Sequence, residues 1–173
     1  MSNFASIKYI KSYAKVTYYS IVINGEEEEK SLFELFVDRY TTEEKAKLNH
    51  ILSWIKDIGE KYGALHYLFR EENDASALPP GGLDREPTYM EEDINVANPL
   101  RLYCHRLNEY VVILFGGGVK TADVVRDCAN VRMAFHLTNK LTKLIDKNIL
   151  DKEIEWDDEG KDILYDEEYK LYY

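Results

Sequence analysis

Cysteine is nearly absent from this chain: Cys104 and Cys128 are the only two in 173 residues. That excludes a disulfide framework, and both thiols are expected reduced and buried in a cytosolic protein. Long hydrophobic runs are missing as well. No window reaches the roughly 18 uninterrupted apolar residues of a membrane span, and the start MSNFASIKYIK lacks the apolar core of a signal peptide. A cytoplasmic protein with no membrane partner is the expectation. Familiar site patterns are also lacking. Cys104, His105 and Cys128 do not fall into CxxC or HxxxH spacing, so neither a metal nor a cofactor is expected. Gly116-Gly117-Gly118 lacks the GxxxxGK[ST] spacing of a phosphate loop and reads as a strand exit or bulge. Nothing matches a Ser/His/Asp triad, and the neighbouring Glu91 and Glu92 would point apart on a strand.

What is present is enough apolar material for one core, at 45% hydrophobic residues in 20.2 kDa, and one domain is expected. The formal charge of −10 argues at first against nucleic acid, whose binding depends on Lys and Arg displacing counterions. The distribution changes that argument. Residues 151–173 hold ten acidic and three basic residues, whereas residues 100–147 hold eight basic and four acidic ones, so the chain has one basic region and an acidic end.

Lys15 to Ile23 is β-branched and aromatic and ends in the turn signal Asn24-Gly25, which predicts a first strand. Ser31 to Tyr40 reads as a short helix with Leu32, Phe33, Leu35 and Phe36 inward. Thr41 with Glu44 suggests a capping box for a second helix, with Leu48, Ile51, Ile55, Ile58 and Tyr62 on one stripe before Gly63. Ala64 to Phe69 suits a short strand. Residues 70–97 read as an irregular loop around Pro79-Pro80-Gly81-Gly82. Asn130 is placed to cap a last helix with Ala134, Leu137 or Thr138, Leu141, Leu144 and Ile145 on its apolar face. The expected fold is α+β: a single domain over 1–150 with a mainly antiparallel sheet, two helices before a central hairpin and one after it, and an acidic tail over 151–173 that docks in part.

The hairpin is the most informative stretch. Arg101 to Leu107 alternates at the strand period, Asn108-Glu109 supplies a tight turn, and Tyr110 to Phe115 is a continuous apolar run. Pairing across that turn brings Arg101 near Lys120, so two cations converge on one edge of a sheet, an arrangement suited to phosphate.

The element order β-α-α-β-β-β-α together with LRLYCHRLNEYVVILFGGGVKT resembles the RelE/ParE superfamily of bacterial toxins, especially its HigB-like branch. The resemblance covers about residues 15 to 147. It implies the toxin component of a toxin–antitoxin module, with a helix-turn-helix antitoxin as partner and, in the RNA-cleaving branch, a metal-independent, ribosome-dependent endoribonuclease acting on mRNA. In that chemistry the neighbouring 2′-hydroxyl attacks the phosphodiester, which requires a base, an acid and cations for the charge on phosphorus. By the resemblance Arg101 and Lys120 hold the phosphate, His105 or His136 transfers protons, and Tyr103, Arg106, Arg126 and Arg132 contact RNA. Two positions depart from the pattern: Tyr89 to Asp93 is acidic where the family carries lysines on the strand before the Arg, and Thr121 stands where a second cation follows the Lys.

The alternative that stays open is a non-catalytic protein-interaction domain on the same fold, with Arg101 and Lys120 as edge charges balancing Glu91, Glu92 or Asp93, and His105 as a hydrogen-bonded sheet histidine. For the acidic end, one expectation is that it folds over the basic region and occludes it in cis.

Overall fold

The computed structural model describes residues 3–25, 29–121 and 129–173. Its first element is one the sequence reading passes over. Phe4–Ser12 turns Ala5 and Ile7 inward and forms β1, which pairs antiparallel with β2, Thr17–Ile23. The strand expected over 15–23 is thus the second arm of a hairpin.

Two helices follow. The Ser31 hydroxyl accepts from the Glu34 N–H and the Glu34 carboxylate accepts from the Ser31 N–H, a capping box that opens α1, Leu32–Glu43. The expected box at Thr41 and Glu44 does not form: Thr41 donates its hydroxyl to the Val37 carbonyl inside α1, and Glu44 gives no side-chain cap to α2, Lys45–Asp57. Phe33, Phe36 and Tyr40 are buried on α1, whereas Leu35, expected inward, is 51% exposed. Along α2 the stripe of Leu48, Ile51 and Ile55 is buried and continues through one wide turn to Ile58, while Tyr62 turns outward. Gly63 stops the helix at a φ of +83°, a conformation that only glycine adopts without strain.

Residues 64–69 are no strand; they contain a single tight turn at His66–Leu68. The stretch read as a loop instead supplies β3, Arg70–Glu72, and β4, Ala75–Leu78, then a separate ribbon of β5, Met90–Glu91, and β6, Ile94–Asn95. The central hairpin is β7, Leu100–Arg106, and β8, Val111–Val119, followed by α3, Ala129–Leu150. The last strands are β9, Ile154–Trp156, β10, Ile163–Tyr165, and β11, Leu171–Tyr172.

Seven strands form one sheet in the order β11-β1-β2-β8-β7-β4-β3, and within it only β2 and β8 run parallel. A parallel neighbour requires a crossover, and this one carries α1 and α2 onto one face, where Leu100, Leu102, Cys104, Val112 and Leu114 meet Phe36, Leu48, Ile51 and Ile58. The other face packs Ile7, Ile21, Val111, Ile113 and Phe115 against Leu141 and Ile145 of α3. The result is a single α+β domain with a mainly antiparallel sheet.

Two consequences bear on the site. The strand beside β7 is β4, so Tyr89 to Asp93, in and beside the small ribbon, does not occupy the place in the sheet assigned to it from sequence. The acidic end is also no appendage. Ile154, Ile163 and Leu171 are buried under α3, each burial stabilising by roughly 2 kcal/mol, and β11 extends the sheet beyond β1. Its contacts lie away from Arg101: Asn108 at the β7–β8 turn donates to the Gly160 carbonyl, and Tyr19 donates to Asp162. The acidic end thus packs against part of residues 100–147, at the Asn108 turn and on α3, and these contacts lie away from Arg101.

Candidate functional site

The alternation of β7 sorts its side chains. Leu100, Leu102 and Cys104 join the α1–α2 core, which leaves Arg101, Tyr103 and His105 on the face that α3 covers. Burial raises the Cys104 thiol well above its ordinary range, so this sulfur is an inert core group.

Arg101 is only 8% exposed. Its guanidinium donates to the Asn98 and Leu100 carbonyls, its Nε has no partner, and no carboxylate forms an ion pair with it among the described residues. Loss of hydration, and next the positive charge of Arg70, pull its pKa down to about 10. Arg70 reaches this place because β3 pairs with β4 and β4 with β7: Arg70 lies opposite Ala77, which lies opposite Tyr103. It is half-buried, its Nε donates to the Pro79 carbonyl over 2.8 Å, and burial lowers its pKa as well. Glu72, on the same strand, is the acid whose field reaches both guanidinia. Among the described residues, two arginines beside each other with Glu72 as the acid whose field reaches them leave an excess of buried positive charge, which an anion would offset.

Gly118 lies opposite Arg101 in the β7–β8 ladder, and the Lys120 N–H donates to the Pro99 carbonyl over 2.8 Å. Lys120 thus sits two residues past Arg101's partner, half-buried at the same end of the sheet. Of the three glycines, Gly117 is required at the bulge between β7 and β8. A Cβ on Gly117 would stand 1.8 Å from the Arg101 carbonyl oxygen, so the backbones approach too closely for any side chain.

Asn98 fixes the turn into β7. Its side-chain oxygen accepts from the Leu100 N–H, and its amide donates to the Lys47 carbonyl and to Nδ1 of His50. Because the amide nitrogen can only donate, His50 Nδ1 must accept and Nε2 carries the hydrogen given to the Pro87 carbonyl. Burial lowers the His50 pKa.

The other residues proposed from sequence are spread out. His105 bonds through Nε2 to Asp146 of α3 at 2.6 Å, four residues from Arg101 and so about 13 Å along the strand. Tyr103 is fully buried, its ring edge-on to Phe135 at 5.8 Å. His136 is exposed on α3 beside Phe135, and Arg132 is exposed one turn earlier. Arg106 donates to the Ala64 carbonyl. Arg126 lies outside the described residues. The structure therefore brings Arg70 beside Arg101, sets Lys120 two residues along the ladder from Arg101's partner, and leaves both histidines apart from the arginines.

Arg70 and Asn98 carry no motif that singles them out in the sequence, and His50 has a weaker claim there than His105. The available signal was Arg70 at the head of REENDASAL, two short strands about a turn, read as loop because β4 is made of small residues.

No protein-family model matches this chain, and neither a curated protein nor a solved structure is similar enough to count as a match. No helix among the described residues is long and apolar enough to cross a membrane.

Proposed function

We propose that this chain is a RelE/ParE-like domain of the HigB-like branch, the toxin component of a toxin–antitoxin module, and that it holds RNA phosphate at the end of β7 and β8. The observation that carries this reading is the buried Arg101 guanidinium, whose Nε has no hydrogen-bond partner, which pairs with no carboxylate among the described residues, and which has Arg70 beside it. An arginine kept solely for structure would be paired, since an unpaired buried charge costs several kcal/mol. The succession β2, α1, α2, β4, β7, β8, α3 supports the family, with β1, β3 and β11 as additions at the sheet edges.

For cleavage of mRNA on the ribosome, Arg101 and Lys120 would stabilise the charge growing on phosphorus while the 2′-hydroxyl attacks. The proton transfers are the weaker part, because His105 is engaged by Asp146 about 13 Å along the strand from Arg101. Phosphate holding is better supported than acid–base catalysis.

A second reading, a non-catalytic protein-interaction domain, has its own observation. Leu35, Phe36, Met133, Leu137 and Gly117 line a mostly apolar groove of about 410 Å³ between α1 and α3, with Leu35 51% and Met133 84% exposed. Induced expression of the wild type beside Arg101→Ala and Lys120→Ala separates the two. The toxin reading predicts slowed growth and shortened mRNA that both substitutions relieve; wild-type expression without either effect leaves the interaction reading.

A further inference from the structure

The edge of the sheet farthest from Arg101 carries an opening of about 1050 Å³ between β1 and the segment that leads to β11. Its walls are aromatic. Tyr9, Tyr19, Tyr165 and Tyr169 follow one another with ring centroids 5.9, 6.3 and 6.2 Å apart. The Tyr169 hydroxyl is buried without a hydrogen-bond partner. Its rim is acidic: Glu167 and Glu168 line it, and the one cation of the lining, Lys170, is turned over the Phe4 ring at 4.5 Å, on the opposite side of β1 from Tyr9.

The floor of this opening is a strand edge. The Asn24 N–H donates to the Phe4 carbonyl, and Ser6 and Lys8 stand opposite Val22 and Ser20, so the main-chain groups of Phe4, Ser6 and Lys8 face β2. Those of Ala5, Ile7 and Tyr9 face the other way. The two residues of β11 occupy the edge only as far as Ala5, which lies opposite Leu171, and among the described residues no strand pairs with the outward groups of Ile7 and Tyr9.

From these features we infer that the groove takes an extended, Lys/Arg-rich peptide segment of a partner protein, added as a short strand along Ile7 and Tyr9 beyond the end of β11. Main-chain hydrogen bonds to the strand edge would align it, and alternate cationic side chains would lie over the tyrosine faces toward Glu167 and Glu168. Charge complementarity selects this occupant. Residues 151–173 carry ten acidic groups against three basic ones, which repels RNA and attracts a cationic chain. The inference stands apart from the phosphate site, which lies at the other end of the sheet.

The test uses the full chain and two short synthetic peptides, one alternating Lys with Thr and one alternating Glu with Thr. Binding is followed by titration calorimetry and by amide hydrogen exchange. The Lys peptide should bind, the Glu peptide should bind at least about tenfold more weakly, and exchange at Ile7 and Tyr9 should slow in the presence of the first. Glu167→Gln with Glu168→Gln should cost about tenfold in affinity, and Tyr9→Ala, at a half-exposed ring whose loss leaves the core intact, a similar factor. Equal binding of the two peptides, or no binding, overturns the inference. So does unchanged exchange at Ile7 and Tyr9, an RNA oligonucleotide competing for the groove, or a dimer of this chain that protects the same amides without peptide.

Discussion

The two ends of the seven-stranded sheet are built on opposite principles. At the β7–β4–β3 end, Arg101, Arg70 and Lys120 come from residues far apart in the chain, and the arginines have no paired carboxylate among the described residues. At the β1–β11 end, one continuous acidic segment supplies Ile154, Ile163 and Leu171 to the core, packs Tyr165 and Tyr169 half-buried against it, and leaves most of its carboxylates at the surface. The acidic end contributes stability through its apolar residues; the cationic end gives stability up by burying guanidinium charge that meets only carbonyl acceptors among the described residues. A net charge of −10 averages over these two fields and describes neither.

Deleting residues 151–173 gives the sharpest contrast. It removes three buried aliphatic side chains and strand β11, so a loss of about 5 kcal/mol or outright unfolding is expected in urea titrations. A truncated chain that stays folded and merely gains RNA affinity would mean that the acidic end is a cover and not a part of the core. Gly117→Ala at the cationic end should cost about 3 kcal/mol, because the new methyl would meet the Arg101 backbone and not a movable side chain. Thermal melts beside Gly116→Ala, where a Cβ meets nothing within 4 Å, check this.

A smaller effect concerns pH. The folded-state pKa of His50 is lowered by burial, so the unfolded chain takes up its proton first as pH falls, and stability present above about pH 6.5 is lost progressively below it. Because Asn98 points its amide donor at Nδ1, protonation also breaks the link from His50 to Asn98, while the Nε2–H bond to the Pro87 carbonyl is kept. Urea midpoints across that range should fall less steeply for His50→Gln than for the wild type. The smallest expected effect is at Lys143, whose pair with Asp74 is largely exposed; Lys143→Ala should change stability by less than about 0.5 kcal/mol.

How much of this was legible in the sequence follows the same division. The hairpin of β7 and β8 and the α2 stripe announced themselves, because long periodic segments bury one face and little else competes. β4 did not: Ala75, Ser76 and Ala77 have small side chains with weak strand preference, and they are strand residues only because β7 and β3 pair on either side. That one omission hid Arg70 and put Tyr89 to Asp93 in a place the sheet gives to β4. β1 was legible in principle, since Ala5, Ile7 and Tyr9 alternate with Ser6 and Lys8. Arg101 and Lys120 were read as neighbours from the turn alone, and the ladder sets them two residues apart in register. What the sequence had no means of showing was that Arg101 is buried and that His105 is taken by Asp146, forty-one residues away.

The central claim is that Arg101 is retained for an anion and not for the fold. The direct measurement is RNA affinity over a range of salt for Arg101→Met, taken with the unfolding free energy of the same variant. The account predicts affinity down about tenfold and a salt slope shallower by about one, with stability unchanged or increased as an unpaired buried charge is replaced by an apolar chain. Undiminished RNA affinity, or a stability loss of about 2 kcal/mol or more, would contradict it.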